Sequence, residues 1–136
     1  MKVTYAISNI MSQQIVSVDV GATLGDAMQQ MVDNEIGSVV VTREDEITGI
    51  LTERDVLKCF CTDPQAAAQQ AGDVMSHPPV TIDETAAIGQ AADLMAEKKI
   101  RRLLVTTNGI VCGVVTERDL MRATLDDINK LSDAWV

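Results

Sequence analysis

Aromatic side chains are almost missing from this chain: Tyr5, Phe60 and Trp135 are the only three among 136 residues. A core must therefore be aliphatic, built of Val, Ile, Leu, Ala and Met, which suits helices packed on a small sheet. Basic residues are also scarce, 11 against 20 acidic ones, for a net charge of −9. Non-specific binding to nucleic acid or anionic lipid needs a basic surface, so neither nucleic acid nor a membrane is expected as a partner. No segment approaches the roughly 18 apolar residues of a membrane span, and the stretch Met1 to Ser8 lacks the apolar run of a signal peptide. Three cysteines, an odd number without secretory context, fit a reducing compartment, so a cytoplasmic location is expected. His77 is the only histidine. Cys59 and Cys61 lie two apart near a predicted helix end and share no helical face, so a metal site would need a second ligand pair. With neither that pair nor a nucleophile beside a base, no metal site, catalytic residue or enzyme activity is expected.

What the chain has is repetition. Gly49 to Asp55 reads Gly-Ile-Leu-Thr-Glu-Arg-Asp, and Gly113 to Asp119 reads Gly-Val-Val-Thr-Glu-Arg-Asp. Sliding the sequence by about 64 residues aligns 10–57 with 74–121 without a gap, with roughly a third of the positions identical. Met11-Ser12 matches Met75-Ser76, Met31 matches Met95, and Ile36 matches Ile100. Such an unbroken register means a duplicated structural unit. A half of about 60 residues would be marginal by itself, whereas the whole is of single-domain size.

Each copy opens with a short turn, expected to be capped by Ser8 over Asn9 to Met11 and by Asp73 before Val74 and Met75. Short strands follow at Ile15 to Val18 and Val80 to Ile82. Leu24, Ala27, Met28, Met31 and Val32 recur at helical spacing, as do Ile88, Ala91, Ala92, Met95 and Ala96. Val39 to Val41 and Leu103 to Val105 read as strands covered on both sides. Asn108-Gly109 is a strong hairpin signal before Ile110 to Val115, with Arg43 to Glu46 in the same place in the first copy. Gln65 to Ala71 looks like a helical connector ended by Gly72. Beyond Arg122, the spacing of Leu125, Ile128 and Leu131 predicts an amphipathic helix ending at Trp135, which either folds back or meets a partner. The fold class is α/β: two repeats, each strand-helix-strand-strand-helix, over residues 1–66 and 67–124, with a tail at 125–136.

The Thr-Glu-Arg-Asp turns bear the chemistry. Each leads a strand into a helix N-terminus, whose free N–H groups and positive dipole end suit an anion or a polyhydroxyl ligand. Thr52 and Thr116 offer hydroxyls, Arg54 and Arg118 pair with phosphate, and the Asp55 and Asp119 carboxylates accept both protons of a diol. The same spacing is also a helix capping arrangement, in which Thr and Asp satisfy backbone N–H groups. Both uses stay open on spacing alone.

Two units of this element order, each opening with Met-Ser and closing with Gly-apolar-apolar-Thr-x-Arg-Asp, resemble the cystathionine-β-synthase (CBS) domain pair, or Bateman module. The resemblance spans roughly Ser8 to Ala123. It implies a pseudo-twofold sandwich of two α/β units with two clefts between them and a disc-like homodimer. The clefts would bind adenosyl ligands: AMP, ADP or ATP, with S-adenosylmethionine and NAD as further options. Binding would signal to an enzyme or transporter in trans; the alternative is a structural dimerisation or adaptor protein with vestigial pockets. In the family the closing Asp holds the ribose diol and the Thr lies against ribose or phosphate, roles that fall on Asp55 with Thr52 and Asp119 with Thr116. Residues reaching phosphate match Gly37 and Ser38 in the first copy and Arg101 and Arg102 in the second. Adenine contacts match Val16, Ser17, Ile36, Val80, Thr81 and Ile100.

Overall fold

A computed structural model describes residues 6–134, with side chains through residue 129. Two compact units make up the chain: Ile15–Pro79 forms one, and the residues up to Gln14 join those from Val80 onward in the other. These units do not follow the repeat boundaries at 66 and 67. Each repeat's opening segment is folded onto the other repeat's closing strand, for a reason visible in the hydrogen bonds.

In the Ile15–Pro79 unit, β1 (Ser17–Asp19) pairs parallel with β2 (Ser38–Arg43), which pairs antiparallel with β3 (Glu46–Thr52), in the sheet order β1-β2-β3. The parallel pair needs a crossover, which α1 (Leu24–Asn34) supplies. α2 (Glu53–Thr62) leaves β3 directly. Val39, Val41 and Leu51 point to one face of this sheet and pack with Leu24, Ala27 and Met31 of α1 and Val56 of α2. Val40 alternates to the opposite face and is also buried, so the apolar run Val39 to Val41 reflects cover on both sides. The unit ends with a 3-10 turn at Ala66–Ala68 and the short α3 (Ala71–Val74).

The second unit repeats the plan with β4 (Thr81–Asp83), α4 (Ile88–Lys98), β5 (Arg102–Thr107), β6 (Ile110–Thr116) and α5 (Glu117–Ala134), in the sheet order β4-β5-β6. Leu103, Val105 and Val115 pack with Ala91, Met95, Leu120 and Ile7. Both hairpins turn through two left-handed residues. In the second they are Asn108 (φ 50°) and Gly109 (φ 79°), and in the first Glu44 (φ 50°) and Asp45 (φ 66°). The first hairpin thus adopts the same conformation without the residues that favour it. Each unit also carries one extra residue in its third strand. Val41 pairs with Gly49 but Thr42 with Ile47, leaving Thr48 bulged, and Cys112 is bulged in the same way.

The exchanged openings depend on the motif glycines. Ser76 and Ile50 swap both backbone hydrogen bonds, at 2.9 and 3.0 Å, so Met75-Ser76 extends the edge of β3. Ser12 and Val114 do the same at 2.8 and 2.9 Å, placing Met11-Ser12 on β6. A Cβ on Gly49 would come within 2.6 Å of the Met75 sulfur and 2.7 Å of the Ser76 carbonyl oxygen. On Gly113 it would meet the Met11 sulfur at 2.6 Å and the Ser12 oxygen at 2.8 Å. The glycine that begins each motif therefore serves close backbone approach.

Several local expectations are corrected. The first turn is a 3-10 helix, Ile7–Asn9, with Ala6 as its N-cap; Ser8 lies inside it and caps nothing. Asp73 likewise sits inside α3, whose N-cap is Gln70. Gly72 does not end the connector but lies within α3, because its N–H bonds to the Val20 carbonyl at 2.9 Å and Val20 leaves little room for a side chain. The helix expected beyond Arg122 is present as the continuation of α5, which runs from Glu117 to Ala134 because no helix breaker interrupts it. Leu125 and Ile128 are both 56% exposed, so this face does not fold back on the chain. The Leu131 side chain and Trp135 lie outside the described residues.

Candidate functional site

Parallel β1 and β2 begin at the same end of their sheet, and antiparallel β3 finishes there. That geometry gathers Val16 and Ser17, Ile36 to Ser38, and Thr52 to Asp55 at one sheet end. The register places Ser38 opposite Thr52, and the Val40 N–H bonds to the Val16 carbonyl at 2.9 Å. In the other unit Arg102 stands opposite Thr116 and the Leu104 N–H bonds to the Val80 carbonyl at 3.1 Å. Val80 and Thr81, Ile100 to Arg102, and Thr116 to Asp119 therefore meet in the same way. The backbone agrees closely between copies: the Glu53 N–H bonds to the Gly37 carbonyl at 2.9 Å, and that of Glu117 to the Arg101 carbonyl at 2.8 Å.

The turns themselves form helix caps. Asp55 Oδ2 accepts from the Thr52 backbone N–H at 3.0 Å and from its hydroxyl at 2.8 Å, while the Asp55 N–H donates to Thr52 Oγ1 at 3.2 Å. Asp119 Oδ2 accepts from the Thr116 N–H at 2.9 Å, and the Asp119 N–H donates to Thr116 Oγ1 at 3.1 Å. The capping alternative left open by spacing is thus realised in both copies. Each carboxylate commits only Oδ2, and both side chains are half-buried. An ionised carboxylate offers about four acceptor positions, so Oδ1 keeps its capacity for a ligand hydroxyl.

Around these caps the copies diverge. The first copy has one arginine, exposed Arg54, beside Gly37 and Ser38. The second has Arg101, Arg102 and Arg118. Among the described residues Arg102 and Arg118 make no ion pair, and Arg102 is half-buried. Arg101 Nε lies 3.9 Å from Glu117 Oε2 with both side chains largely in solvent, an arrangement worth little. The left-handed residues ending α1 and α4 differ too: Glu35 (φ 54°) against Lys99 (φ 56°). Sequence reasoning passed over Glu35, whose alignment with Lys99 was the available signal.

Other candidates stand apart from these sheet ends. Cys59, Cys61 and Cys112 are free thiols. Partial burial, with the Glu84 carboxylate nearby, pushes the Cys112 thiol up. Among the described residues no group of three or more His, Cys, Asp or Glu side chains is placed to hold a metal, and no helix is long and apolar enough to cross a membrane. His77 is exposed.

Comparison with known proteins bears on this geometry. The sequence profile of the CBS domain matches residues 7–61 and 71–126. An uncharacterized protein of Methanopyrus kandleri is 33% identical over 120 residues, covering 86% of this chain. This chain spans 61% of that relative's length. The crystal structure of a CBS-domain containing protein from Agrobacterium tumefaciens superposes with a TM-score of 0.82 at 25% identity, covering 89% of this chain and 93% of that one. CBSX2 in complex with AMP superposes with a TM-score of 0.74 at 22% identity over 90% of this chain and 97% of its own.

Proposed function

This chain belongs to the CBS domain family, and on that basis we propose that it is a non-enzymatic regulatory module for an adenosyl ligand. AMP, ADP or ATP would be the ligand, with S-adenosylmethionine or NAD as further options. The ribose diol would lie on Asp55 or Asp119 with Thr52 or Thr116 beside it. Adenine would lie against Val16, Ser17 and Ile36, or against Val80, Thr81 and Ile100. Phosphate would meet Arg101, Arg102 and Arg118 in one copy and Gly37, Ser38 and Arg54 in the other. The observation that carries this is the twinned cap that holds each carboxylate in place through Oδ2 and leaves Oδ1 uncommitted. The AMP complex of CBSX2, a protein of the same fold, agrees with it.

Ligand energy would reach a partner, an enzyme or transporter in the cytoplasm, only through a difference in affinity between two shapes of this chain. A homodimer is part of the proposal. Val32 and Leu57 in one unit, and Met121, Leu125 and Ile128 in the other, are large apolar side chains 56–72% exposed. Such faces mark interfaces. Replacing Leu57 and Met121 by Glu should yield a monomer in light scattering.

The caps also favour a second possibility, a structural dimerisation or adaptor protein in which Thr and Asp serve only their helices. Thermal melting with AMP, ATP and S-adenosylmethionine separates the two. A ligand at 100 times its dissociation constant adds about 2.7 kcal/mol, a rise of several degrees. A melting point unmoved by every compound in the panel overturns the sensor role.

A further inference from the structure

Resting on the adenosyl role just described, we propose that this chain sorts its ligands by charge. The Asp119 sheet end takes an adenosyl compound bearing phosphate, and the Asp55 end takes one without phosphate, a neutral nucleoside or an adenosyl sulfonium. The inference starts from how closely the two ends match in backbone. Cap, strand register and the hydrogen bond from the residue after each threonine recur at nearly the same distances. The carboxylate cap that would hold a diol is common to both, though only Thr52 also donates its hydroxyl to its Asp.

The charged side chains are not common to both. Over 33–38 and 53–55 the acids Asp33, Glu35, Glu53 and Asp55 face only Arg54, a formal charge of −3. Over the matching positions 97–102 and 117–119, Lys98, Lys99, Arg101, Arg102 and Arg118 face three acids, a formal charge of +2. Two substitutions bear most directly on phosphate. Arg102 begins β5 opposite Thr116, where Ser38 begins β2 opposite Thr52, and Arg101 holds the place of Gly37.

Nothing in the described structure neutralises this difference. Arg102 is half-buried without a carboxylate partner, and the long contact from Arg101 to Glu117 is loose enough to yield to a phosphate. At the other end Glu35, the exposed left-handed C-cap directly before Ile36 and Gly37, puts an acid where the second copy has Lys99. A dianionic phosphate there would meet an acidic rim and one exposed arginine. A sulfonium cation would meet a favourable field.

The test measures AMP, adenosine and S-adenosylmethionine binding to the full chain by calorimetry, with Asp55→Ala and Asp119→Ala assigning each site. A second pair exchanges the key residues, Arg101→Gly with Arg102→Ser, and Gly37→Arg with Ser38→Arg. The first exchange should weaken AMP at the Asp119 end about 100-fold, the sum of two charge-assisted contacts at the lower end of their range. Adenosine affinity there should change less than about threefold, and the salt dependence of AMP binding should flatten. The second exchange should create AMP binding at the Asp55 end. Circular dichroism melts of each variant confirm that it is folded. Equal AMP affinity at both ends, or equal loss of AMP and adenosine in the first exchange, overturns the charge sorting and leaves the adenosyl role standing. If wild-type protein binds none of the three compounds, the adenosyl role itself fails and the sorting with it.

Discussion

Replacing Gly49 by Ala should destabilise the Ile15–Pro79 unit by about 3 kcal/mol, though the new group is a single methyl. That methyl would sit 2.6 Å from the Met75 sulfur and 2.7 Å from the Ser76 carbonyl oxygen. The thioether can swing away, but the carbonyl oxygen moves only if its segment lifts from β3. Lifting it breaks both hydrogen bonds between Ile50 and Ser76, each worth about 1 kcal/mol net. Displacing half-buried Met75 forfeits about another 1 kcal/mol of apolar contact. Urea unfolding should show the midpoint falling by about 1–2 M at an unchanged slope, and native-state hydrogen exchange should show the Ile50 and Ser76 amides losing protection first. Met75→Ala should not rescue the variant, because the backbone oxygen remains. Gly89→Ala is the matched control: its methyl meets nothing within 4 Å on a helix, so it should be neutral or stabilising by about 0.5 kcal/mol. If Gly49→Ala lies within about 0.5 kcal/mol of wild type, the close approach is not what requires glycine.

Three further outcomes follow from local geometry. Ala87 has the extended backbone of an N-cap but no side chain to fill the role, whereas Thr23 at the matching position accepts from the Asp26 N–H at 3.1 Å. Ala87→Thr should therefore raise stability by about 1 kcal/mol in thermal melting, and a neutral result would mean the site does not admit the cap. Asp63, bonded by the Gln65 backbone N–H and the Gln69 side chain, and Asp83, bonded by Thr85, are held below the usual carboxylate range. Their contribution is fully present above the unfolded value near pH 4 and is lost as pH falls through the lower folded values. The gap in stability between wild type and Asp63→Asn should therefore close on the acid side; a gap constant from pH 7 to pH 2 would refute this. Exposed Cys61 should react with a thiol reagent before Cys112, whose pKa partial burial and Glu84 push up. Glu84→Gln should speed Cys112, and no change would remove the carboxylate as a cause.

The element order was legible because both periodicities are strong. The helices show apolar residues at i, i+3, i+4 and i+7, and the centres of β2 and β5, Val39 to Val41 and Leu103 to Val105, are short apolar runs. Asn108-Gly109 announced its hairpin, and the 64-residue register carried that assignment to Arg43–Glu46, whose left-handed pair Glu44 and Asp45 no local preference would have marked. Where the Met-Ser segments dock was not legible. Met11 and Met75 lie in equivalent sequence surroundings, and an edge strand can bond to whichever partner reaches it. Only the fold shows that Gly113 receives the first segment and Gly49 the second. The cap positions were misjudged at Ser8 and Asp73 because a 3-10 turn and a four-residue helix are too short for side-chain preference to fix their starts. The residues of each sheet end could be named as sets only through the family resemblance, because the bulges at Thr48 and Cys112 shift the strand register by one, so hairpin length alone would pair Ser38 with Leu51 rather than Thr52. Their electrostatic difference was legible as well, in the replacement of Gly37-Ser38 by Arg101-Arg102 at the aligned positions.

The cap and the diol site make opposite demands at one position, and Asp119→Asn separates them. A cap needs one acceptor facing the Thr116 N–H, which the Asn carbonyl supplies from the N3 place of the capping box, though without the negative charge that favours a helix N-terminus. Holding a diol needs a second acceptor where Oδ1 now stands, and Asn puts an amide donor there. If Asp119 serves both, Asp119→Asn should lose only the first-turn charge, about 0.3–1 kcal/mol, while Asp119→Ala loses in addition the bond to the Thr116 N–H, about another 1 kcal/mol. Both variants should weaken adenosine binding at that end by at least tenfold, because even the Asn variant leaves a donor opposed to a hydroxyl proton. The two readouts come from the same samples, by melting and by calorimetry. If adenosine binds Asp119→Asn as tightly as wild type, the carboxylate is a cap and nothing more. Any ligand at that sheet end would then be held by its arginines.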